Sequence, residues 1–326
     1  MENVNKCRVL WIDIVKGVAI ILVVLGHIGL TNVSYIGPWV NSFHVPIFFF
    51  ISGMLFSNSN SFGIFLNKKI LELIKPYLYF SFIAILCLYL IKEFNWEEIK
   101  NILFCGWGGI ALWFIPVLFF THLVWFFVRK YIDKSLYVYL FVLLCLGGFL
   151  FSKYIGFVSY NLLLLPISVI YLGAGNWWKE KIIDMSKYSG SSKLFILMIV
   201  FLILSFLSIL VNWKNSVSYA SNQLGYILPS LLSGISGSFF ICIFSILLVR
   251  FLSPQNCLLS ILSYIGKNTY IILAFHQILL IGCTYMHNFI TCYILYKSLE
   301  LIIIVLGCFL LIHLINKFTP FMIKNR

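Results

Sequence analysis

The sequence predicts an all-α protein, a polytopic integral membrane bundle of about ten transmembrane helices with both termini cytoplasmic. Three observations carry that expectation. Of the 326 residues, 62% are hydrophobic and only 10% are charged. A soluble domain is roughly half apolar and about a quarter charged, so this chain has too few charges to cover a core with a wettable surface. A soluble globular enzyme, a disordered chain and a collagen-like chain are thereby excluded. The second observation is unbroken apolar runs such as LFILMIVFLILSFLSILV, Leu194 to Val211. These are helical spans, because outer-membrane strands alternate apolar and polar residues. The third is that Lys and Arg gather in short clusters between the runs.

In chain order the expected spans are Val9–Leu30, Pro38–Phe56, Pro76–Ile91, Ile110–Val128, Leu136–Phe151, Tyr154–Gly173, Leu194–Val211, Gly225–Val249, Thr269–Met286 and Lys297–Asn316. Each is apolar over about the length a bilayer requires. No long polar stretch separates them, so residues 1–326 are expected to form one membrane unit. With a cytoplasmic N-terminus, the outer segments hold only Lys92, Lys100, Lys153, Lys214 and Lys297. Most of the remaining basic residues, among them Lys68, Lys69, Lys75, Arg129, Lys130, Lys179 and Lys181, fall inside. That asymmetry sets the expected orientation in a cytoplasmic membrane. It also accounts for the net charge of +13 without a nucleic-acid partner. The first span contains Asp13 and Lys16 and lacks a small-residue cleavage site, so it is not expected to be a cleaved signal. The nine cysteines never take a C-x-x-C spacing and read as small core residues. No histidine pair has ligand spacing such as H-E-x-x-H, so no metal is expected, and there is no Walker or G-x-G-x-x-G loop.

Ionisable groups at membrane depth are costly, which makes each a candidate functional group. The first span, RVLWIDIVKGVAIILVVLGHI, has Asp13, Lys16 and His27. At about 100° per residue, Lys16 and His27 lie within about 20° of each other, and Asp13 is about 40° from His27 on the other side. The three share one stripe, with Lys16 and His27 about 16 Å apart along the axis. Gly17 and Gly26 lie near it and would admit a closely packed helix or a ligand. A plainer reading has Asp13 and Lys16 neutralising each other while His27 sits at the interface; it leaves the alignment of the histidine to coincidence.

Other candidates accompany this stripe. His44 precedes Pro46 in SFHVPIFFFISGML and falls near the depth of His27, because the first two spans run antiparallel through a short loop; Ser52 follows two turns on. Trp113 stands at the outer end of the fourth span, where an interfacial belt residue is expected, and His122 lies deep inside that span. His276 is two turns into the ninth span, where a satisfied core histidine is as good a reading as a site residue. His287 and His313 join no constellation.

Four segments, RVLWIDIVKGVAIILVVLGH, FHVPIFFFISGMLF, LWFIPVLF and IGKNTYIILAFH, give the chain a resemblance to the acyltransferase-3 family of ten-helix membrane acyltransferases. It is most similar to the branch of fucose 4-O-acetylase-like and surface-polysaccharide O-acetyltransferases. That family places a basic residue, ten intervening positions, then histidine. Lys16 and His27 match the spacing, with lysine in place of the commoner arginine. The family's basic segment after the second span corresponds to Lys68, Lys69 and Lys75, interrupted by Glu72.

The resemblance implies transfer of an acyl group, usually acetyl from acetyl-CoA as co-substrate, to a hydroxyl of a sugar or glycan. A sugar hydroxyl is a weak nucleophile and needs a base working near neutral pH. His27 fits as that base, or as a relay that is itself acylated. Lys16 and Arg8 can pair with CoA phosphates or the thioester carbonyl, Asp13 can hold Lys16, and His44 can orient His27 or the acceptor. His27 lies toward the outer end while the donor is made inside. Either the pantetheine arm threads in from the cytoplasm, or kinked spans place the site deeper. The rival class is a transporter or flippase of a lipid-linked sugar, which also lines its path with ionisable groups. The paired halves common in transporters are not evident.

Overall fold

The structure is a computed structural model that describes residues 9–30, 35–57, 61–90, 96–100, 110–154, 159–212, 217–253, 255–288, 290 and 292–322. Among these residues there is no strand, only an isolated bridge between Ser218 and Gln223. Fourteen α-helices follow in order: α1 Leu10–Ile28, α2 Ile36–Phe43, α3 Pro46–Met54, α4 Phe62–Lys69, α5 Lys75–Leu90, α6 Trp96–Lys100 and α7 Phe114–Tyr131, then α8 Tyr137–Tyr154, α9 Leu165–Tyr188, α10 Ser191–Leu210, α11 Ile227–Phe251, α12 Cys257–Lys267, α13 Thr269–Thr284 and α14 Tyr293–Phe318. The described residues hold six apolar helical stretches long enough to cross a membrane. They are Leu10–Ile28, Phe62–Leu90, Ala111–Tyr131, Ser191–Leu210, Ile227–Phe251 and Tyr293–Phe318. The bent pair α12–α13, turned through 82° at Asn268, makes a seventh if counted as one span.

Three departures from the expected spans have local causes. The stretch Pro38–Phe56 is two short helices, because Pro46 lacks the amide that would continue α2 and instead occupies the first turn of α3. The stretch expected to begin at Pro76 begins at Phe62. Lys68, Lys69 and Lys75 therefore lie on a continuous helix rather than in a loop. A π turn at Ile70–Ile74 joins α4 to α5, immediately before Pro76, whose ring cannot accept a regular carbonyl four residues back. The Tyr270 hydroxyl donates to the Leu73 carbonyl at 3.0 Å within that turn. In α12–α13 the break at Asn268 is closed by its own side chain, which donates to the Tyr264 carbonyl at 2.8 Å and accepts from Asn316 at 3.0 Å.

Small residues decide which helices cross closely. α1 lies along α12, and α3 along α9. A Cβ at Gly17 would overlap the Leu262 carbonyl, and one at Gly266 the Asp13 carbonyl. Gly53 and Gly175 repeat the arrangement against Leu172 and Phe50. Backbones this close leave no room for any side chain between them. α11 carries a serine-rich face, and the segment before it is tucked inward. Tyr219 from that segment donates to the Ser42 carbonyl at 2.9 Å and bonds the Tyr171 hydroxyl at 2.9 Å. Asn212 ties the same segment to Leu224, Tyr226 and Ser230.

Gly266→Val is expected to destabilise the folded protein by at least the ~1–3 kcal/mol typical of overpacking, because the obstacle is a backbone carbonyl that cannot rotate away. Thermal unfolding in detergent should show a lower midpoint or loss of monodisperse protein. Gly147→Ala, with nothing within 4 Å of the added carbon, serves as the neutral control.

Candidate active site

The C-terminal turn of α1 presents His27, whose side chain is exposed. α1 ends there because Gly29 adopts φ 82°, the left-handed conformation that closes a helix and suits glycine. α13 supplies the two neighbours of the ring. Gln277 places its side-chain nitrogen 3.0 Å from both imidazole nitrogens of His27. The His276 ring lies 5.1 Å away, centroid to centroid. Equidistant from the two nitrogens, the amide lies over the face of the His27 ring, donating toward its π cloud, and leaves the lone pair of the neutral imidazole unused.

His276 is 1% exposed, and its Nδ1 donates to the carbonyls of Ile272 at 2.8 Å and Leu273 at 3.1 Å. Carbonyls only accept, so the neutral ring keeps its lone pair on Nε2. That Nε2 and the Gln277 Oε1 are both buried without a hydrogen-bond partner among the described residues. His44, half-buried in the break between α2 and α3, donates Nδ1–H to the Val40 carbonyl at 2.9 Å. It too lies within electrostatic reach of His27, as does His276. Three histidines from three segments therefore share one locality, and two are held with Nε2 as acceptor.

Asp13 and Lys16 form their own pair one to two turns into α1, Nζ to Oδ1 3.4 Å. Asp13 is 2% exposed and Lys16 half-buried, so both face the bundle at the crossing with α12. Along the axis, Lys16 lies about 16 Å and Asp13 about 21 Å from His27. Arg8 lies outside the described residues. Ser52 is half-buried on α3, two turns beyond His44 and so about 12 Å further along that segment. Trp113 is buried rather than placed in a lipid-facing belt. It closes a 3₁₀ turn that packs against α13 and sits edge-on to Phe114 at 6.2 Å.

His122 belongs to a different cluster. It is buried on α7, stacks on Phe56 at 5.9 Å and lies within electrostatic reach of Lys69. Lys69 pairs with Glu72 at 3.0 Å, and Lys68 approaches the same carboxylate at 3.9 Å. His313 is exposed on α14. Among the described residues no three His, Cys, Asp or Glu side chains converge to hold a metal.

The sequence reading overlooked Gln277, Lys297 and Glu300. Gln277 is a neutral amide in an apolar run and carried no charge signal. Lys297 and Glu300 did carry one. At i and i+3 in a span they repeat the Asp13–Lys16 pattern in reverse order, and they pair at 2.7 Å.

The fold is a multi-helix apolar bundle that brings an accessible histidine beside buried amide and imidazole acceptors, groups that can accept a proton. The family model described as an acyltransferase domain, acyltransferase-3, matches residues 9–319, and the chain belongs to that family. No curated protein and no solved structure matches it. It is thus a membrane acyltransferase, acting on an acyl donor and an acceptor.

Gln277→Leu, which keeps the volume but removes the amide, is expected to slow acyl transfer about tenfold by freeing the His27 ring from its productive rotamer. Initial rates in membranes of producing cells check this, and an unchanged rate would show that the amide does not hold the ring.

Proposed function

We propose that the protein is an O-acetyltransferase of the cytoplasmic membrane that moves acetyl from acetyl-CoA to a hydroxyl of a cell-surface sugar or polysaccharide. The observation that supports this reading best is the trio of His27, Gln277 and His276. An exposed imidazole stands beside two buried acceptors, the Gln277 Oε1 and His276 Nε2, that lack a donor. Buried acceptors without a donor are costly, and the other hydroxyls of a sugar, beside the one that reacts, supply donors for them.

In this reading His27 takes the proton of the acceptor hydroxyl as its oxygen attacks the thioester carbonyl. The C–S bond then breaks, and the CoA thiolate leaves with that proton. In the relay variant the imidazole attacks first and passes the acetyl group on. His44 orients the acceptor or His27. Lys16, held by Asp13, and Arg8 meet the donor's negative charge from the cytoplasmic side, so that the pantetheine arm runs along α1 toward His27. Ser52, Trp113 and His276 line or support the path. Counting α2–α3, α8, α9 and α12–α13 as crossings beside the six long apolar helices gives ten, with both termini cytoplasmic as the lysine asymmetry favours.

His27→Ala is expected to reduce acetyl-CoA-dependent release of CoA thiol in membranes of producing cells by about 10²–10⁴-fold, the usual contribution of a general base, and wild-type release would remove His27 from the chemistry. Lys16→Ala should raise the KM for acetyl-CoA more than it lowers kcat; an unchanged donor dependence would discard the donor role. Solute uptake by reconstituted vesicles without thiol release would favour the transporter reading.

A further inference from the structure

The end of α1 that carries His27 is also gripped from α14. The Lys297 ammonium donates to the Ile28 carbonyl at 2.8 Å and to the Glu300 carboxylate at 2.7 Å. The other Glu300 oxygen accepts from the Tyr296 hydroxyl at 3.3 Å. Ile28 is the residue after His27 and the last of its helix. The final carbonyls of a helix have no partner inside it and form its negative end, where a cation is favoured. Two of them, Leu25 and Gly26, are met by the amides of Leu30 and Gly29, each at 3.1 Å. Lys297 meets the carbonyl of Ile28, which that closing motif leaves over. Its ammonium is held at one spot because Glu300, 2% exposed on its side chain, cannot turn to water.

We infer that Lys297 and Glu300 are positioning residues for His27. They fix the closing turn of α1 so that the imidazole stays on Gln277 and meets the acceptor hydroxyl. This rests on His27 acting as base or relay in acyl transfer.

Two measurements on the full-length protein separate the clamp from the chemistry. Amide exchange in detergent is expected to quicken about tenfold or more across residues 25–30 in Lys297→Met and Glu300→Gln. It should stay at the wild-type rate across residues 11–16 in both. Lys297→Arg, which keeps a donor for the carbonyl and the carboxylate, should keep exchange slow. If a single variant misfolds, the double variant Lys297→Met with Glu300→Gln removes both charges together and is read in the same way. Transfer of label from acetyl-CoA into the saccharide of membranes from producing cells should fall about tenfold in kcat in Lys297→Met. The KM for acetyl-CoA should stay within about twofold, and Lys297→Arg should restore the rate. In a His27→Ala background the same substitution should cost nothing further. Unchanged exchange across residues 25–30 would overturn the clamp. Faster exchange with undiminished transfer would overturn the positioning role, while His27→Ala still inactivates. Transfer that survives His27→Ala would defeat the base reading, and the purpose of the clamp with it, but would leave the exchange result standing.

Discussion

The geometry of the site depends on backbone contact between α1 and α12 at Gly17 and Gly266. A side chain at either glycine would enter the partner's carbonyl, so the two helices meet at one register and rotation only. That rotation turns Asp13 and Lys16 into the bundle. One break further along the chain, it brings α13 up beside the last turn of α1. His27 meets Gln277 and His276 because the 82° turn at Asn268 lets one polypeptide stretch hold α1 low with α12 and face its upper end with α13. Small residues at a crossing are the usual device for close approach in membranes, where lipid is as apolar as the helices and packing must do the selecting.

The ion pairs and two of the histidines obey one rule. In an apolar bundle a charge or donor needs a partner, and the partner is found close along the chain or on the adjacent helix. Asp13 with Lys16, Glu72 with Lys69 and Glu300 with Lys297 are all i, i+3 pairs. Each is placed where it can also touch something else: the α12 crossing, the neighbourhood of His122, and the carbonyl end of α1. His44 and His276 each donate Nδ1–H to a carbonyl on the preceding turn. Local pairing of Nδ1 leaves the Nε2 edges of these two rings available for contacts between helices.

Much of this was legible from the residues. The all-helical membrane class followed from composition, and the shared stripe of Asp13, Lys16 and His27 followed from angular arithmetic on one helix. Three things were hidden, each for a physical reason. Gln277 is uncharged, so an apolar stretch absorbs it without a signal. Pro76 reads as a start, yet a helix with a π turn before it continues through, so Lys68 and Lys69 were placed in a loop they do not occupy. Trp113 looked like an interfacial aromatic, because a sequence does not reveal that its turn folds over α13. Glu300 was readable by the same rule that picked out Asp13. It was passed over because its partner Lys297 had been assigned to an outer segment.

The widened turn at Ile70–Ile74 accommodates one more residue than a regular helix would hold there. Removing a single residue from it would restore the ordinary winding and swing everything toward the N-terminal side of that helix by about 100°. Lys68 and Lys69 would then leave the side on which His122 waits. Chain length in this short stretch therefore sets the facing of a pair of cations, so related sequences that differ here by one residue should differ in which surface their basic pair addresses while retaining the same bundle.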